Sequence, residues 1–146
     1  MRKHLFIFAV VLILFTGCAS QKNYTLVQSD ESVAKISIIR VPNNSVVMNG
    51  DFSQFSTLTV IDKSKWGSIL DELSNLPCGT YWNAPADYIS GTVLMITYQN
   101  TDIELIGPDS AYYYNFAHEI GHYSNYRPFY FDAELFYKML DRYSDQ

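Results

Sequence analysis

Apolar and polar positions change period several times along this chain, and each change marks an element. Leu5 to Phe15 is unbroken apolar sequence, shorter than the roughly 20 residues a bilayer-spanning helix needs. "AKISIIRV" (34–41) is short and rich in β-branched residues, a strand signal. "NNSVVMNGDFSQF" (43–55) reads as turns around a weak strand, and "STLTVID" (56–62) alternates as a second clear one. Trp66, Ile69, Leu70, Leu73 and Leu76 then recur at three- and four-residue steps. That spacing predicts an amphipathic helix over 64–76, capped by Asp62 or Ser64 and ended by Pro77 and Gly79.

After the loop-like "CGTYWNAPADYIS" (78–90), "GTVLMITY", the turn "QNTD" and "IELIG" predict a β-hairpin over 91–107. In its second arm Glu104 alternates with Ile103 and Leu105, which is expected to turn it to the outer face. Pro108-Asp109-Ser110 breaks the hairpin. "PFYF" (128–131) is strand-like, and Asp132 can cap a last helix whose stripe is Leu135, Phe136, Met139, Leu140 and Tyr143. The expected order is β-β-α-β-β-(unclear)-β-α. Its fold class is α+β: a small antiparallel sheet with two main helices packed on one face.

The unclear stretch admits two local structures. Tyr113, Phe116, Ile120 and Tyr123 are spaced three, four and three, as on the apolar face of a helix capped by Asp109 or Ser110. "AYYYNF" (111–116) is equally rich in residues that prefer sheets.

At the front, Arg2, Lys3 and His4 precede the apolar run, the arrangement of a secretory signal. "FTGCAS" (15–20) follows, and Gly17-Cys18 resembles the lipobox of bacterial lipoproteins, with Phe15 where leucine is more usual. The resemblance implies cleavage before Cys18 and acylation of its thiol, palmitate included, giving an envelope protein anchored on the extracytoplasmic side. The layout becomes a signal peptide over 1–17, the lipidated cysteine and a polar tether over 18–32, and a single domain over 33–146. Cys78, the second of two cysteines, is then a lone structural thiol.

The chain carries 10 basic and 15 acidic side chains, a formal charge of −5. Removing residues 1–17 takes Arg2 and Lys3 with no acid, so the mature count is 8 minus 15, or −7. An acidic domain with no basic run excludes nucleic acid as a partner, because such binding neutralises phosphates. The partners expected are the lipid bilayer, through acylated Cys18, and an unnamed envelope or extracellular partner.

"AHEIGH" (117–122) carries the sharpest chemistry. On a helix, His118 and His122 would present two imidazoles one turn apart to a single zinc, with Glu119 placed as general base. The six residues resemble the active-site helix of zincin metallopeptidases. A third ligand is needed; "YSNYRP" follows where metzincins place another histidine, so the later Glu134 is the candidate. The hairpin, aromatic stretch and "YFDAELFYKMLDRY" (130–143) are also similar to small bacterial secreted and lipoprotein domains that carry no HExxH. Two functions follow. One is a non-catalytic binding module with no cofactor; the other is a minimal zinc endopeptidase. The aromatics Tyr112, Tyr113, Tyr114, Tyr123, Tyr126, Tyr130 and Trp82 offer a contact surface or, as the commoner use of such side chains, core.

Overall fold

The computed structural model describes residues 23–42, 52–79, 89–116, 124–128 and 130–144. Along them run β1 (Val33–Val41), β2 (Ser56–Val60), α1 (Trp66–Asn75), β3 (Cys78–Gly79), β4 (Gly91–Tyr98) and β5 (Ile103–Ile106). β6 (Ser110–Tyr114), β7 (Ser124–Pro128), β8 (Tyr130–Phe131) and α2 (Ala133–Ser144) complete the set. Six strands form one sheet in the order β2-β1-β4-β5-β6-β7, every pairing antiparallel. β3 and β8 form a separate two-stranded ladder. This is the expected α+β class.

Both helices start where short acidic side chains predict. The Asp62 carboxyl accepts from the Ser64 amide at 2.8 Å, and Asp132 accepts from the Glu134 and Leu135 amides at 3.0 and 3.2 Å. Ile69, Leu70 and Leu73 of α1 and Phe136, Met139 and Leu140 of α2 are buried against Ile36, Ile38, Leu94, Ile96 and Ile106 of the sheet. Helices are thus packed on one face, and Tyr143 Oη of α2 reaches Glu72 Oε1 of α1 at 2.9 Å.

The opposite face is buried too. Ile39, Val41, Val93, Leu105, Tyr112 and Tyr114 form a second apolar cluster, with Ile89 buried among them and Phe52 and Phe55 packed on it. The Phe52 ring meets the Tyr114 ring edge-on at 5.0 Å. Among the described residues the central strands of the sheet are therefore buried on both faces. Within this second cluster Ser37 Oγ is buried and finds no hydrogen-bond partner among the described residues.

The unclear stretch is strand. β6 pairs with β5 and β7 pairs with β6, widening the sheet by one hairpin beyond the expected order. A helix carrying Tyr113 on its apolar face is thereby ruled out: Tyr113 faces Glu104 across the β5–β6 ladder. Non-local pairing decides between two local propensities that the sequence leaves nearly balanced.

No described helix is long and apolar enough to cross a membrane. The weak strand expected within 43–55 falls largely on residues outside those described.

Candidate functional site

The densest polar arrangement lies where apolar alternation would hide it. Glu104, expected on an outer face, is fully buried, and Asp102 is 1% exposed. The correction has a simple cause. Because both faces of the sheet are covered at β5, alternation with Ile103 and Leu105 separates two interiors, not inside from outside. Glu104 points to the helix side, among Ile96 and Tyr113 on the neighbouring strands.

What covers it there is the segment before β1. Tyr24 is 3% exposed and belongs to the helix-side core, its ring centroid 5.6 Å from that of Phe131. Tyr24 Oη donates to Glu104 Oε1, and the Val27 amide donates to Oε2 at 3.1 Å. Tyr98 Oη donates to Oε2 as well. Residues 24–32, expected as the outer part of a free tether, lie across the β4–β5 hairpin as a strap.

Asp102 extends the clasp. Its Oδ2 accepts from Tyr113 Oη, from Gln28 Nε2 at 3.1 Å and from Asn100 Nδ2 at 2.8 Å. Its Oδ1 accepts from the Phe116 amide at 3.1 Å. Gln28 also donates to Tyr113 Oη at 2.7 Å, and the Gln99 amide donates to Ser32 O at 2.8 Å. Two carboxyl groups thus bind the strap, the hairpin turn and the start of the β6–β7 connection into one network. Buried carboxyls tolerate such a site only when their oxygens are this fully used.

The phenols are tuned to donate. Burial raises the Tyr98 hydroxyl far above its ordinary value, and the Glu104 charge and hydrogen bond push the same way. Tyr113 is raised by burial and by its bond to Asp102. Both stay protonated throughout the neutral range, as the network requires.

Beside the strap, a groove of about 500 Å³ runs against α1, lined by Thr25, Leu26, Asp30, Leu70, Asp71 and Ser74. Nothing in its lining is a buried, unengaged polar group that would mark a built ligand site.

The expected zinc residues fare differently from one another. His118, Glu119 and His122 lie outside the described residues, as does Cys18. Their flanks are described: Tyr114 and Ser124 are ladder partners, so the hexapeptide falls within the nine-residue connection 115–123 of adjacent strands. Glu134 sits exposed in the first turn of α2, its Oε1 2.6 Å from Lys138 Nζ. Among the described residues no three His, Cys, Asp or Glu side chains gather as a metal would require.

Of the aromatics, Tyr112, Tyr113 and Tyr114 are core. Tyr130 and Tyr137 remain 42% and 38% exposed, with Leu135 between them at 41%. Trp82 and Tyr123 lie outside the described residues. In sequence the clasp leaves only a faint signal: two acids, Asp102 at the end of the hairpin turn and Glu104 two positions on, in the otherwise apolar β5. No protein-family model, curated protein or solved structure matches this chain.

Proposed function

We propose that this chain is an envelope lipoprotein, held on the extracytoplasmic side of a membrane by acyl chains on Cys18, whose domain binds a partner. The observation that supports a binding role is the trio Tyr130, Leu135 and Tyr137. Three large apolar side chains stay about two-fifths exposed along β8 and α2, whereas Tyr112, Tyr113 and Tyr114 are core. Partly exposed aromatic side chains beside acidic ones, here Asp132 and Glu134, suit a protein-contact surface.

The rival reading is a zinc endopeptidase, favoured by the spacing of His118, Glu119 and His122. It asks Glu134 to leave Lys138 and serve as third ligand. It also asks a connection between neighbouring strands to aim both imidazoles at one ion. These demands weigh against it.

Fractionation tests the anchor. Wild-type protein is expected in the membrane fraction, with acyl groups on the peptide that begins at Cys18; Cys18→Ser is expected in the soluble fraction. A Cys18→Ser protein that stays with the membrane removes the anchor from the account. For the domain, Tyr130→Ala with Tyr137→Ala should leave folding intact. Robust peptidase activity that disappears in Glu119→Gln would replace the binding role with the hydrolytic one.

A further inference from the structure

We infer that the Glu104 clasp shortens the lipid tether, so that the strap side of the domain is held close against the bilayer surface. The inference rests on the reading of Cys18 as the acylated residue. Its basis is chain length against a fixed point. The strap is fastened to the sheet at Tyr24 and Val27 by Glu104, and again at Gln28 by Asp102. Only residues 19–23, five in number, separate Cys18 from the first fastened side chain.

Six Cα-to-Cα steps from Cys18 to Tyr24 reach at most about 20 Å when fully extended. Were the whole segment to Val33 free, fifteen steps would reach about 50 Å. The clasp therefore lowers the greatest height the domain can adopt by about 30 Å. It also fixes which side faces the lipid, because the chain enters at the strap.

The strap side is not itself adhesive. Asp30, Glu31 and Asp71 are its exposed charges near the groove, and acids gain nothing from anionic headgroups. Proximity is set by the short chain and not by attraction. Tyr130, Leu135 and Tyr137 are then presented by a domain of restricted height and orientation, which limits partners to those that approach the membrane closely.

Neutron reflectometry of the full lipidated mature protein on a supported phosphatidylcholine bilayer reads the water gap beneath the domain. A Gly-Ser insertion of ten residues between Lys22 and Asn23 leaves the clasp and the fold untouched. It raises the maximum reach from Cys18 to Tyr24 from about 20 to about 55 Å. The expected result is a wild-type gap below about 20 Å that widens with the insertion and with Tyr24→Ala. A gap unchanged by the insertion, or already wider than the short chain permits, overturns the inference. Loss of all bilayer binding together with an unacylated Cys18 peptide instead overturns the lipoprotein reading on which it rests, so the two failures are distinguishable.

Discussion

The phenol of Tyr24 donates to the carboxyl of Glu104, eighty residues further along the chain, at the centre of the helix-side core. That bond makes the segment before β1 part of the domain. Tyr24→Phe keeps the ring against Phe131 and removes only the hydroxyl, leaving Glu104 Oε1 short of a donor. The expected loss is about 1–3 kcal/mol, read from urea unfolding. Proteolysis within residues 24–32 should rise in parallel. An unchanged unfolding midpoint would mean the strap is not energetically coupled to the sheet.

Asp102 accepts from Tyr113, Gln28, Asn100 and the Phe116 amide. Asp102→Ala removes an acceptor from the Phe116 amide, Gln28, Asn100 and Tyr113 Oη together. The expected cost exceeds that of Tyr24→Phe, at about 3 kcal/mol or more, since several donors lose their acceptor at once. Hydrogen exchange should show it locally: the Phe116 amide loses protection in this variant first.

Ser37→Ala is expected to act in the other direction. Its hydroxyl is buried in the second apolar cluster with no partner among the described residues. Removing it relieves an uncompensated desolvation and leaves a small void. A gain of about 1 kcal/mol in unfolding free energy is the expected outcome. A clear loss would show that the hydroxyl is engaged.

Alkaline pH tests the tyrosines. Tyr98 and Tyr113 have folded-state values raised above the unfolded one near 10, chiefly by burial. Their protonated form is favoured by the fold, so their contribution is fully present below pH 10 and is lost as pH rises beyond it. Stability should be flat in this respect through neutrality and fall above about pH 10. Tyrosinate absorbance from these two residues should appear only with unfolding, followed by circular dichroism on the same sample.

The local elements were legible in the sequence wherever one side of an element meets water. The stripe of α1 and the caps Asp62 and Asp132 follow from spacing and side-chain chemistry, as does the hairpin turn at 99–102. Legibility failed where tertiary structure decides. Glu104 reads as outward-facing because alternation assumes a half-solvated sheet, whereas β5 and β6 are covered on both faces. Tyr113 and Phe116 fit a helix as well as a strand until β5 and β7 pair on either side of β6. The strap looked like a polar linker because Tyr24 and Val27 are fastened by acids far away in sequence, which no local pattern records. Of the expected zinc set only Glu134 is described, and its contact is Lys138.

We propose a membrane-mounted binding domain behind Cys18, and not a metal hydrolase. Metal content of the purified mature protein tests it most directly, measured by plasma mass spectrometry for wild type and His118→Ala side by side. The account predicts far less than one zinc per chain in both. About one equivalent in the wild type, lost in His118→Ala, would contradict it.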